Sequence, residues 1–522
     1  MPVILWTDAL IFVLVAMVLL FILRARRKEH LRAPWREVAR SPLGMGTLVV
    51  LLTFIAIGLL DSLHFRVPLP DNPARPGQTE YSIEVQSLLD KLATPLRTNE
   101  EKTYSAPFAT QLYVKETVER PDGSQVRVYP RLAYGGAHLE NPGTDRNADI
   151  FRTSSKAVFE ALLVWAIVVS LVIFALLAKQ RKGQRKRPEG LDEPLKISDS
   201  SFPRTRESSA ASVMDPRSRE DDGSFKDGLN VKQEPSSFFF TLSAVFKGRT
   251  ELPWRTILIT SGIIIVLIAL ASELGVKYHI FGTDKVGQDV FYQTLKSIRT
   301  GLVIGTLTTL IMLPFAVLLG IMAGYFRGII DDVVQYLYTT LSSIPGVLLI
   351  AASILILQVY MANHPEQFDT IAMRADVRLL FLCIILGITS WTGLCRLLRG
   401  ETLKLRELDY IQAATAFGVG HFKIITRHIL PNVMHIVLIT VVLDFSGLVL
   451  AEAVLSYVGV GVDPSTISWG NMINSARLEM AREPMVWWPL LAAFVFMFTL
   501  VLAANLFSDV VRDAFDPRLR KL

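Results

Sequence analysis

The chain has 522 residues, 51% of them hydrophobic, with a mean hydropathy of +0.38. That is too apolar for a soluble protein of this length and too long for one compact domain. The net charge of +6 is modest and gathers beside apolar runs, so it points to membrane topology and away from nucleic acid.

The first apolar run, about Val3 to Leu23, has no basic segment before it and no small-residue cleavage site after it, so it reads as a retained transmembrane helix. Arg24, Arg26, Arg27, Lys28, Arg32, Arg36 and Arg40 follow and place that loop in the cytoplasm, with the N-terminus outside. A second span, about Pro42 to Leu60, returns outward. Residues 61–155 are polar and proline-containing. Within them Tyr81 to Ala93 has helical spacing, while Leu112, Val114, Val126 and Val128 alternate across Pro121-Asp122-Gly123 as a hairpin would. A small extracytoplasmic α+β module is expected, acting as a folded spacer or as a contact for a binding protein or a partner subunit. The third span (domain 156–179) ends in the basic cluster Lys179 to Arg187, and 180–236 is too polar to offset its ordering entropy, which predicts a disordered cytoplasmic linker.

From residue 237 six spans are expected, near 255–272, 300–322, 333–358, 377–395, 434–456 and 486–508, with Pro314 and Pro345 kinking two of them. Cys383 and Cys395 lack Cys or His neighbours and read as packing residues. Nine crossings put the loop 399–432 and the C-terminus in the cytoplasm. That loop carries too many charges for hydrocarbon. Leu405, Leu408, Ile411 and Ala414 suit one amphipathic helix, Gly418 and Gly420 break it, and Phe422, Ile425 and Ile429 restart a second helix that Pro431 ends. Glu452 and Asp444 lie inside a span, where a carboxyl is either functional or holds the bundle together.

The loop resembles the EAA loop of bacterial ABC importer permeases: Gln412-Ala413-Ala414, then Gly418, then His428 and Leu430-Pro431. Gln412 stands where the pattern has Glu, and His428 where it has Ile. The segment His279 to Phe291 resembles the Gly-Thr-Asp signature of the second permease of dipeptide, oligopeptide and nickel importers, with Gly282, Thr283, Asp284, Gly287 and Asp289 matching and Gln288 replacing Arg. Leu450 to Gly461, Ser468-Trp469-Gly470, and the ending Asn505 to Asp509 with Arg512 to Arg518 are similar to the same branch. Locally, Thr283 or Asp284 suits a helix cap.

The resemblance implies an all-α polytopic membrane protein: a six-span ABC importer permease core (237–522) preceded by three extra transmembrane helices (two of them in 1–60) and the α+β module. It implies a coupling helix in 399–432 that docks on a separate ATPase, and an external gate at 282–289. It further implies a second permease subunit in a heterodimer, two ABC ATPase subunits that bind ATP and Mg, an extracytoplasmic solute-binding protein, and a place among the lipids of a bacterial inner membrane. No Gly-Lys dipeptide, zinc motif or nucleophile elbow occurs, so no cofactor and no catalysis are expected in this chain. The alternatives are an ion-coupled secondary transporter, or a membrane sensor or enzyme using the 61–155 module.

Overall fold

A computed structural model describes residues 1–25, 29–69, 80–119, 125–184, 252–368 and 370–515, with Ser243 and Val245. The Pro121-Asp122-Gly123 turn, nearly all of the 180–236 linker and the Asp516-Pro517-Arg518 ending lie outside these residues. The chain divides into two units, Met1–Trp165 with Glu251–Leu522, and Ala166–Thr250. The described residues of the second unit are chiefly the later turns of one helix.

Strand β1 (Pro2–Val3) leads into α1 (Trp6–Ala25), α2 (Glu29–Arg40) and α3 (Pro42–Asp61). The basic loop expected between the first two spans is therefore largely the short helix α2. Ser41 caps α3 by accepting from Gly44 N, and Pro42 takes a first-turn position where no N–H is needed. Strands β2 (His64–Pro68) and β3 (Tyr81–Ser87) complete an antiparallel sheet ordered β1-β2-β3, with Pro2 opposite Phe65 and Phe65 opposite Gln86. The expected helix over Tyr81–Ala93 thus begins only at α4 (Leu88–Leu92), followed by α5 (Thr94–Thr98). Tyr81, Ile83 and Val85 alternate as a strand requires, and Ser87 with Asp90 forms a reciprocal capping box that starts the helix there. The hairpin is present as β4 (Glu116–Glu119) on β5 (Gln125–Val128). Helix α6 (Pro142–Gln184) then runs for 43 residues, so its first turns belong to the stretch assigned to the module.

The remaining helices are α7 (Trp254–Lys277), α8 (Val290–Phe326), α9 (Ile329–Ser343), α10 (Gly346–Asn363), α11 (Ile371–Arg406), α12 (Asp409–Ala416), α13 (His421–Ile424), α14 (Leu430–Tyr457), α15 (Trp469–Glu479) and α16 (Trp488–Phe515). Helix α8 passes through Pro314 unbroken. At Pro345 the outcome differs: Ile344 is held extended (φ −87°, ψ 129°), so the expected 333–358 span is divided into α9 and α10. The tightest pair is α8 with α11. A Cβ on Gly320 would lie 2.8 Å from Cys395 O, and one on Gly324 2.7 Å from Arg399 O, so two small residues one turn apart set the approach.

Among the described residues eight helices are long and apolar enough to cross a membrane: α1, α3, α6, α7, α8, α10, the continuous His421–Tyr457 helix and α16. The ninth expected span, 377–395, lies within the 36-residue α11, contains Arg378 and is flanked by Arg374, Asp376, Arg396 and Arg399. Helix α3 packs on α7, α8 and α16, and α1 rests on α8 and α11, so the N-terminal helices are built into the core. Phe54 and Tyr104 accordingly share one buried cluster with Ile298, Trp469 and Trp488. Cys383 and Cys395 are buried free thiols.

Candidate functional site

The 399–432 loop is a compact elbow. Ile411, Ile424 and Ile429 are buried in a cluster with Tyr325, Val334 and Leu398, which fixes one face of α12 and α13 on the ends of α8, α9 and α11. Polar contacts reinforce it. Arg399 grips Asp331 with both arms at 2.5 and 2.7 Å, and its hydrogen bonds hold that carboxyl below the usual range. Arg406 donates to Tyr325 O at 2.7 Å, the Tyr325 hydroxyl meets His421 Nδ1 at 2.8 Å, and Arg327 pairs with Glu407. The single helix expected through Leu405 and Ala414 is interrupted: α11 ends at Arg406, and Leu408 turns extended (φ −73°, ψ 138°) before Asp409 opens α12.

Gly418 has φ +74° with open space where a Cβ would stand, so the turn needs its backbone freedom and nothing else. Pro431 does not end the second helix. A π turn over Ile425–Ile429 lets the chain absorb the missing N–H, and the helix continues as α14 with Pro431 in its first turn. Leu430 is half-buried, His428 tilts against the Tyr410 ring, and Asn432 bonds both the Tyr410 hydroxyl and His428 O. Gln412 and Ala413 are exposed, Ala414 is half-buried, and Gln412 Nε2 turns back to Glu407 O at 3.1 Å. Beside them Phe417 and Phe422 are 87% and 81% exposed. From the sequence Phe422 serves only as part of the apolar period of the second helix, and Phe417 has no role. An aromatic on each flank of a glycine turn in a charged loop was the available signal for both.

The 282–289 loop is locked and leads into a helix, but neither Thr283 nor Asp284 caps it as expected. Asp289 is the residue that caps α8, accepting from Tyr292 N at 2.9 Å, while Asp284 holds a turn through Val286 N and Gln288 N, both at 2.9 Å. Thr283 is wholly buried, accepting from Ser105 N at 2.7 Å and donating to Thr103 O at 2.8 Å. Gly287 has φ +83°, and a Cβ there would fall 1.6 Å from Glu101 O; at Gly282 (φ +68°) it would fall 2.2 Å from Ser105 O. The module segment 101–105 is thus seated on this loop. His279 lies between Asp289 (2.7 Å) and Glu101 (3.5 Å). Burial opposes its charge, but the hydrogen bond to Asp289 and the attraction of the nearby Glu101 carboxylate prevail and lift it to about 9. Glu101 is also resisted by burial, yet His279 and the backbone N–H groups of 133–135 bring it down to about 2.

Glu452 is 2% exposed and accepts from Ser456 Oγ at 2.7 Å and Ser468 Oγ at 3.0 Å, a carboxyl tying α14 to the turn before α15. Asp444 is half-buried on the same helix.

A second charged group escaped the sequence reading. Asp8 of α1 is buried against Arg299 of α8 and receives His64 Nδ1 at 2.7 Å. Asp376 of α11 accepts from Trp6 N and Thr7 N, and Lys296 reaches Asp90 at 2.5 Å. The signal was present: Asp8 lies inside the first apolar run, and Arg299 and Asp376 each sit one residue before an expected span.

The family model described as "Binding-protein-dependent transport system inner membrane component" matches residues 316–521. The glutathione transport system permease protein GsiD of Pectobacterium atrosepticum is 32% identical over 243 residues, covering 46% of this chain and 73% of that protein. The dipeptide transport system permease protein DppC of Bacillus subtilis is 31% identical over 243 residues, covering 47% and 70%. The oligopeptide transport system permease protein OppC of Mycobacterium tuberculosis is 31% identical over 254 residues, covering 49% and 80%. With the helical core and its elbow loop, this defines a class, the multi-pass inner-membrane permease subunits of ABC importers. The chain belongs to the binding-protein-dependent transport system inner membrane component family.

Proposed function

We propose that this permease subunit carries peptides or peptide-like solutes, and that it is driven by separate ATPase subunits through the α12–α13 elbow. The solute class rests on relatives named for dipeptide, oligopeptide and glutathione transport. The observation that carries the coupling role is the two-faced elbow. One face is bolted to three core helices, and the other offers Gln412, Ala413, Phe417 and Phe422 to a partner. Exposed aromatics beside small residues are what a docking helix supplies to a cleft.

In this reading a second permease completes a heterodimer, two ATPases bind ATP and Mg, and an extracytoplasmic binding protein delivers solute. Catalysis resides in the ATPases and not in this chain. The elbow and C-terminus face the cytoplasm, and the N-terminus, the sheet and the 282–289 loop face outward. The pairing of β1 with β2 supports an N-terminus on the module's side. That loop fixes the outer end of α8 to the module, so the gate residues act through placement of α8.

Purification of the tagged full chain from its native membrane tests the assembly, and ATP-dependent uptake of a labelled tripeptide into vesicles tests the solute. Co-purifying ATPases with uptake are expected. A chain that carries peptide with no ATPase attached would overturn the coupling role.

A further inference from the structure

A cavity of about 670 Å³ lies between the N-terminal part and the core, walled among others by Asp61, His64, Lys296, Arg299 and Asp376. A second, of about 460 Å³, adjoins it along Glu84, Val85 and Lys296. These volumes are in the range of small-ligand sites. Both follow β3, the outer strand of its sheet, whose far edge has no strand partner among the described residues. Ile83 on that strand is 83% exposed.

The charges in the wall do not balance. Six carboxyl side chains line the two cavities, Asp61, Glu84, Asp90, Glu100, Asp289 and Asp376, against three fixed cations, Arg97, Lys296 and Arg299. Arg299 is engaged by Asp8, and Lys296 is committed to Asp90 at 2.5 Å. Asp61 is 2% exposed, yet it lines the cavity. Its Oδ1 accepts from Ser87 Oγ at 2.6 Å and is paired with Lys296 Nζ at 3.7 Å. A cationic group in the cavity would approach this carboxylate more closely than Lys296 does.

We propose that this crevice holds an extended peptide with its terminal ammonium on Asp61 and its backbone along the free edge of β3. The site rests on the peptide reading above and deepens it. Strand addition recognises backbone and not side chains, which suits solutes of varied sequence. The carboxylate selects a free amino terminus.

The test uses the full chain in lipid nanodiscs and tetra-alanine labelled at its C-terminus, with free or acetylated amino end. The free form is expected to bind about tenfold tighter, the worth of one charge-assisted hydrogen bond. Asp61→Asn, which keeps an acceptor for Ser87, should abolish that preference. Ile83→Lys, at a site too exposed to disturb folding, should weaken both forms, because a lysine blunts a strand edge. Equal binding of the two forms, an unchanged preference in D61N, or putrescine binding as tightly as the peptide would each overturn the site. Vesicle uptake separates this from the transporter reading. If wild type, D61N and I83K all transport the peptide equally, the site fails and the importer stands. If the complete wild-type assembly binds the peptide here and does not transport it, the solute assignment fails and the site stands.

Discussion

Gly287 and Gly418 share a left-handed backbone but differ in surroundings, which allows a paired prediction. At Gly418 (φ +74°) an added Cβ meets nothing, so Gly418→Ala incurs only the left-handed penalty of about 1–2 kcal/mol. At Gly287 (φ +83°) the same methyl would lie 1.6 Å from Glu101 O and 2.4 Å from Glu101 C, so backbone must move. That movement breaks the Glu101 N to Gly287 O bond and unseats a carboxylate serving the N–H groups of Ala133, Tyr134 and Gly135. Adding one lost hydrogen bond and at least one buried unsatisfied group gives about 3–6 kcal/mol for Gly287→Ala. Thermal unfolding of the purified full chain, followed by tryptophan fluorescence, measures both. Trp488 donates to Thr283 O at 3.0 Å and so reports on this loop. Equal shifts in Tm for the two variants would refute the argument that packing, and not φ alone, fixes Gly287.

Gly418→Val and Ala414→Arg should leave membrane levels normal but abolish co-purification of the ATPases and peptide uptake, which a pull-down with the tagged chain reads directly. His279 sits at about 9, above its ordinary 6.5, so its contribution is full below 6.5 and is lost as pH rises through 9. Glu101 sits at about 2, below 4.5, so its contribution is full above 4.5 and is lost as pH falls through 2. Protease nicking of the module should therefore be slowest between those ordinary values, and His279→Gln should flatten the alkaline rise. Removing residues 1–236 takes Asp8, Asp61, Asp90 and Glu101 from Arg299, Lys296 and His279. Each broken buried pair costs about 3–5 kcal/mol, so the truncated core should express poorly, and a monodisperse truncation on gel filtration would contradict this. Glu452→Gln, which still accepts from Ser456 and Ser468, should melt near wild type, whereas Glu452→Leu should cost about 2–3 kcal/mol in the same assay by stranding two hydroxyls.

The core helices were legible because apolar length and charge placement are local properties of the sequence. The break at Pro345 and the π turn before Pro431 were not, since a proline's consequence depends on whether neighbouring carbonyls find other partners. Tyr81–Ser87 read as helix because its apolar residues fit both periods, and pairing with His64–Pro68 decided for strand. In the elbow, the glycine and the small residues were visible while the exposure of Phe417 was not, because only the fold shows which apolar residues remain unburied. The inward role of Thr283 was hidden for a related reason: its partners, Thr103 and Ser105, lie in a segment with no pattern of its own.

The seating of Ser105 on Thr283 also has a temporal side, since the two are 178 residues apart. At a synthesis rate of 5–20 residues per second, roughly 10–40 s pass between the emergence of one and the other. For that interval the 101–105 segment has emerged while the loop that completes it has not yet been made. Biogenesis of this protein therefore includes a waiting period outside the bilayer. Factors that shield nascent segments there, or slow translation through α6 and α7, should affect its yield more than they affect a permease lacking the added segment.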